Sequence, residues 1–338
     1  MATLSAVRGT LLDLAQRQEP DGSISPIVEI LNQTNEFLDD AIWKEGNLIT
    51  GNRTTIRTGL PSPTWRKMYG GVQPTKSLTA QITDNCGMLE AYSEVDMELA
   101  DLNGNTAAWR LSEDVPHIEG MSQELASTFF YGDESTAPEE FTGLAPRYNS
   151  LSAANADNIV VGGGSDTDNA SIWLVGWGDN TIHGIVPKGS VAGIQFADKG
   201  QVTIENIDGS NGRMEAYRSH YKMKAGLTVR DWRYAVRIPN IDKSALSSVF
   251  TSGVFTTSSA HLPELMFRAM RLIPNLSVVR PAFYMSRDIM TWVDRQVASA
   301  VQGSTLTTDI VGGKLVTSFH GIPLRRVDAL AADEALVS

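Results

Sequence analysis

Three chemistries find candidate residues in this sequence, and each is short of partners. Cys86, between Asn85 and Gly87, is a thiol that could attack an activated carbonyl if His117, His183, His220, His261 or His320 took its proton. No helix start or fixed cation stands beside it to lower its pKa, so it reads as an inert, partly buried thiol. The five histidines never fall in HxH or HxxxH spacing, and a lone cysteine makes neither a disulfide framework nor a paired-cysteine zinc site. Gly162-Gly163-Gly164-Ser165 lacks the lysine and spacing of a phosphate loop. Asp166-Thr167-Asp168-Asn169 begins like a calcium loop but lacks its remaining ligands, and both stretches read as linker. No catalytic, metal or cofactor-binding residue is assigned, and no cofactor is expected.

Charge is distributed far less evenly than chemistry. From Gly46 to Lys76 there are five bases, Arg53, Arg57, Arg66, Lys67 and Lys76, and no Asp or Glu. From Asp84 to Glu140 fourteen carboxylates face only Arg110. Such segregation offers complementary surfaces to other copies of the chain. The candidate contact residues are Arg53, Arg57, Trp65, Arg66, Lys67 and Tyr69 on the basic segment and Glu90, Glu94 and Glu98 on the acidic one. Alone, the three glutamates would be an ordinary solvated helix face; the basic segment before them favours an interface.

The elements that must carry these residues follow from periodicity. Leu4, Val7, Leu11 and Leu14 mark an amphipathic helix over 2–19, and a second helix starting at Pro26 carries Ile27, Leu31, Leu38 and Ile42. Period-two alternation at 53–59 and 75–84 predicts a two-stranded ribbon. Its connection, Leu60 to Pro74, holds Pro61, Pro63, Trp65, Met68, Tyr69, Gly70, Gly71 and Pro74. That is too long for a hairpin turn, too aromatic for a floppy linker and too poor in continuous apolar sequence to be its own core. The ribbon is therefore expected to be satisfied by another subunit, with the aromatic tip outweighing the charges in energy.

Met88, Tyr92, Val95, Leu99 and Leu102, with Glu90, Glu94, Glu98 and Asp101 on another face, predict a helix stopped at Asn103-Gly104. A second stripe, Leu111, Val115, Ile118, Leu125 and Phe129, continues to Tyr131-Gly132, with a kink or break at Pro116. After a Gly/Asp/Ser-rich connection, strands are expected at 171–177, 181–186 and 232–238, helices on Leu262–Ile273 and after Ser286, and strands at 278–285, 314–319 and 322–327. The fold class is α+β.

This order of parts resembles the major capsid proteins of tailed bacteriophages, which share the Hong Kong 97-type capsid fold. The resemblance rests on the arm, the projecting ribbon, the long helix ending in "STFFYGDESTAPEEFTGLAP", and the later "FYMSRDIMTWVDR" and "HGIPLRRVDAL". It implies an N-terminal arm (1–45), an E-loop ribbon (46–85), a peripheral domain with the spine helix (86–150), and an axial domain (151–338) with strands returning to the peripheral domain near 201–240 and the C-terminal end. It also implies hexamers and pentamers closing into an icosahedral head, a virion location, a portal and, in some relatives, a decoration protein. The ribbon begins by about residue 50, with no long helical prosegment before the arm, so a separate scaffolding protein is expected. Lys67 and Lys76 are available for the covalent welding some relatives use, but nothing marks a partner and no crosslink is expected. The alternatives are an encapsulin-like nanocompartment shell with the same fold and, more remotely, a cytoplasmic hydrolase using Cys86.

Composition agrees with a shell. At 338 residues, 42% hydrophobic and 20% charged, the chain can bury a large core. A net charge of −11 opposes gripping phosphates, so double-stranded DNA would be enclosed without being read. No secretion signal and no run of 18 apolar residues is present, giving the expectation of synthesis in the host bacterial cytoplasm without membrane insertion.

Overall fold

The computed structural model describes residues 33–102, 106–205, 212–249, 260–299, 306–311, 314–331 and 333–338. The arm helix expected over 2–19, and the start of the one expected from Pro26, lie outside the described residues; in the described part of the latter only Phe37–Asp40 is helical, and Ile42 lies beyond its end. The described helices are α1 (Phe37–Asp40), α2 (Met97–Asp101), α3 (Thr106–Tyr131), α4 (Lys243–Val249), α5 (Leu262–Leu272) and α6 (Arg287–Ser299). The strands are β1 (Trp43–Glu45), β2 (Gly51–Gly59), β3 (Leu78–Asp96), β4 (Asn169–Trp177), β5 (Ile182–Val186), β6 (Gln195–Glu205), β7 (Arg213–Val229), β8 (Ala235–Asp242), β9 (Arg280–Met285), β10 (Leu306–Val311), β11 (Lys314–Phe319) and β12 (Ile322–Arg326). No described helix is long and apolar enough to cross a membrane.

The chain forms two compact units. Among the described residues, the larger comprises those within 34–87, 127–191 and 225–338, and the smaller those within 88–126 and 192–224. The long elements β3, β7 and α3 contribute residues to both.

In the larger unit the strand order is β10-β11-β12-β9-β4-β5-β7, with β8 also on β4 and β1 also on β5. β4, Asn-Ala-Ser-Ile-Trp-Leu-Val-Gly-Trp, is buried along its whole length because both its faces are covered. Ile172 and Leu174 join Val236, Ile238, Phe283 and the apolar sides of α5 and α6 in one core. Trp173 and Trp177 join an aromatic group in which Phe129 lies 5.6 Å from Trp177 and 4.7 Å from Phe37. α5 and α6 stand where Leu262, Leu265, Ala269 and Ile289, Val293, Val297 predict them. The Gly178-Asp179-Asn180 turn is a corner: β4 and β5 share one parallel pair, Trp177 with Ile182, and then part. Trp232–Tyr234 form a 3-10 turn, so the strand starts at Ala235.

In the smaller unit β6 pairs antiparallel with the first part of β7, and Val95, Leu99, Ala100 and Trp109 form an apolar cluster. Here the sequence reading of a helix over 88–102 is corrected: residues 78–96 are one nineteen-residue strand, and only Met97–Asp101 are helical. A spacing of four is close to one helical turn but also a whole number of strand repeats, so Glu90 and Glu94 share a face either way. The long helix is α3, which Pro116 does not break. Its apolar stripe is also partly reassigned, since Trp109 is buried whereas Leu111, Val115 and Ile118 are exposed.

Candidate functional site

The ribbon projects from a rigid root. β2 and β3 pair antiparallel from Gly51↔Asn85 to Ile56↔Ala80 and Arg57↔Thr79, with an irregularity before Gly59. At the root, Asn47 clamps Arg53 in both directions: its Nδ2 donates to Arg53 O (2.8 Å) and its Oδ1 accepts from Arg53 N (2.7 Å). Asp84 is buried against Arg147 at 2.9 Å. Burial raises the Asp84 pKa and the guanidinium opposes that rise. Gly51 fits only as glycine, since a Cβ there would lie 2.0 Å from Asp84 O. Neither Asn47 nor the Asp84–Arg147 pair carries a sequence signal, and both escape a reading from residue spacing.

Beyond the root, side chains alternate. Arg53, Thr55 and Arg57 are exposed, and Thr54 and Ile56 are half-buried. At the tip the exposure is complete: Trp65 is 101% exposed, Tyr69 103% and Met68 90%. A turn closes with Gly70 N donating to Lys67 O (3.0 Å), and Tyr69 is held at φ 58°, a left-handed conformation that non-glycine residues adopt at a cost. Arg66 and Lys67 are exposed beside it. Among the described residues Arg57, Arg66 and Lys67 form no ion pair. The structure therefore brings the six ribbon residues together on one projection.

Glu90, Glu94 and Glu98 lie elsewhere, and two of them are already matched. Glu90 Oε2 meets His220 Nε2 at 3.1 Å, and Glu90 Oε1 meets Lys222 Nζ at 3.3 Å. The His220 hydrogen bond is the main cause holding Glu90 below the usual carboxylate range. Glu94 accepts from Arg218 at 2.7 Å. Tyr92, between them on the same strand face, stacks on the His220 ring at 4.4 Å. The basic run of β7 is thus the partner of the acidic strand within one chain. Glu98 alone is left on the short helix α2, exposed, its N–H donating to Asp96.

Cys86 gives no sign of nucleophilic activation. Burial first, and the charge of Asp84 second, push its thiol up to about 11, and its sulfur faces Ile185 O.

A family model, "Major capsid protein GP7", matches residues 19–338. The solved structure of bacteriophage Epsilon15 aligns over 100% of both chains at 36% identity and TM-score 0.76. The chain belongs to the major capsid protein GP7 family. It is a major capsid protein of a tailed bacteriophage, a structural subunit and not an enzyme, with the Hong Kong 97-type fold expected from its order of parts. Other likenesses of this capsid chain are distant. The holo-SrpI encapsulin complex from Synechococcus elongatus aligns at 10% identity and TM-score 0.44, covering 68% of this chain and 96% of that one. The capsid of a native GTA particle gives 10% and 0.44, covering 64% and 93%. No curated protein matches.

Proposed function

We propose that the ribbon of residues 46–85 is the E-loop by which each subunit holds its neighbours in hexamers and pentamers of an icosahedral head. The observation that carries this is the tip: three large apolar side chains, Trp65, Met68 and Tyr69, stand almost wholly in solvent on a projection with a stiff root. A lone soluble domain has little reason to spend its largest side chains this way. In this reading 1–45 is the arm, 86–150 holds the spine helix of a peripheral domain, and 151–338 holds the axial domain with returning strands. Arg53, Arg57, Arg66 and Lys67 set the register of the ribbon on the neighbour, and Glu98 and Asp101, which form no ion pair among the described residues, are the carboxylates left to receive it. A separate scaffolding protein guides closure, a portal occupies one vertex, and a decoration protein is compatible with the exposed surface. Double-stranded DNA is enclosed without specific contact, as the net charge of −11 favours, after synthesis in the host cytoplasm.

The test is assembly itself. Subunits expressed with the head genes should give closed shells by electron microscopy and sedimentation, with the ribbon density lying across an adjacent subunit. A ribbon folded back on its own subunit in the assembled shell would refute the assignment.

A further inference from the structure

The loop after Val161 meets the end of β8 at a cluster of oxygen donors outside the ribbon. Asp166, Asp168 and Asp242 each place a carboxylate oxygen within 4.8 Å of the others. Three anions that close repel one another unless a cation or proton lies among them. Their local hydrogen bonds leave oxygens over. Asp242 Oδ1 accepts from Ala245 N (2.8 Å) and from Ser244 Oγ (2.7 Å), which in that order hold this carboxyl below its usual range. Asp168 uses Oδ2 to accept from Ser244 N (3.0 Å), while its Oδ1 is buried without a hydrogen-bond partner.

A fourth donor points to the same place independently. The Asn169 side chain is fully buried; its Nδ2 donates to Asp166 O at 2.5 Å, and its Oδ1 has no partner. Asn169 stands directly opposite Asp242 in the β4–β8 ladder, which puts the two side chains on one face of the sheet. A Cβ added at Gly164 would lie 2.9 Å from Asn169 Oδ1 and 2.9 Å from Asp242 Cβ, so the carboxamide oxygen and the Asp242 side chain border the same space beside Gly164. Buried carbonyl oxygens are rarely left without a partner.

We propose that Asp166, Asp168, Asp242 and the Asn169 carboxamide bind one calcium ion per subunit, fastening the 162–168 loop to the junction of β8 and α4. The donors are all oxygen, which selects a hard cation, and no thiolate or imidazole is present to hold zinc. Donors supplied by a loop, with remaining positions open to water, suit the flexible six- to eight-fold shell of calcium better than the strict octahedron of magnesium. The sequence shows only the Asp-x-Asp-Asn half of the site; the fold supplies Asp242 from a distant strand.

Equilibrium dialysis of the purified subunit against radioactive calcium is the direct test. One saturable site per chain is expected, with a dissociation constant on the order of 10⁻⁴ to 10⁻³ M. Calcium chloride should raise the melting temperature where sodium chloride of equal ionic strength does not. Asp166→Asn should weaken calcium binding about tenfold or more without lowering the metal-free melting temperature, because its carboxylate hydrogen-bonds only its neighbour Thr167 among the described residues and its loss relieves repulsion within the cluster. Asp242→Asn should lose the site as well, at some cost in stability through its bonds to Ser244 and Ala245. No saturable calcium at about tenfold above that range, or wild-type affinity in Asp166→Asn, would overturn the assignment.

Discussion

Replacing Trp65 and Tyr69 together by serine is the perturbation with the most to say about assembly. Both rings are solvent-exposed in the isolated chain, so whatever area a neighbour covers is gained only on assembly. A buried Trp or Tyr removes roughly 150–250 Å² from water, worth about 4–6 kcal/mol at ~25 cal/mol per Å² as an upper bound. Fixing each side chain costs about 0.5–1.5 kcal/mol in return. Even if the neighbour covers only half of each ring, the pair contributes about 1–5 kcal/mol per subunit. Since 1.4 kcal/mol is a factor of ten, the critical concentration for shell formation should rise by roughly 5- to 4,000-fold. Sedimentation velocity and light scattering across a dilution series would measure it, with circular dichroism and thermal melting showing that the subunit still folds. A double variant that closes shells within about threefold of the wild-type critical concentration would refute the role given to the tip.

Three further outcomes are expected. Arg53→Ala should shift the critical concentration less than about fivefold at low salt and not at all at high salt, because exposed pairs contribute only ~0.2–1 kcal/mol and are screened; a salt-independent loss would contradict this. Glu334→Gln should destabilise the subunit by about 3–5 kcal/mol in urea melts, since it strands Arg237, which is only 4% exposed and pairs with Glu334 at 2.7 Å; an unchanged midpoint would count against the pair. His183 is buried, and burial first and Arg230 second lower its pKa from 6.5 to about 4. The unfolded chain therefore takes up a proton near pH 6.5 that the folded chain accepts only near 4, so stability is lost as pH falls through that window, by at most about 3 kcal/mol. His183→Gln should flatten the slope of urea midpoint against pH, and an identical slope in the variant would exclude His183 as its source.

How much could be read from the residues depended on how far apart the deciding partners lie. α5 and α6 were legible because each carries its own stripe and start signal, as in Leu262, Leu265, Ala269 behind Pro263. The ribbon was legible because Pro61, Pro63 and Gly70-Gly71 around Trp65 and Tyr69 admit no local core. The strand at 86–96 was not, since glutamates four apart satisfy both periods and only pairing to β7 decides between them. β10 gave no readable signal, and neither did the contacts that root the ribbon: Asp84 and Arg147 lie far apart in the chain, and nothing in either segment names the other.

That misreading changes what assembly must rely on. If 88–102 were a solvent-facing acidic helix, the basic ribbon would have a ready electrostatic template on every neighbouring copy, and charge could drive docking. With Glu90 and Glu94 already spent on His220, Lys222 and Arg218, the acidic strand presents little unmatched charge. On the proposed reading the excess bases of the ribbon meet scattered carboxylates such as Glu98, at rim-type energies of ~0.2–1 kcal/mol each. On the proposed E-loop reading, specific closure of a shell falls to the apolar tip, and to Tyr69 in particular, whose backbone is held in the left-handed region at φ 58°. Tyr69→Gly should separate these contributions: it relieves the backbone but removes the ring. Assembly of that variant should fail to recover beyond the level of Tyr69→Ser, and recovery to wild type would place the function of Tyr69 in its backbone and not in its side chain.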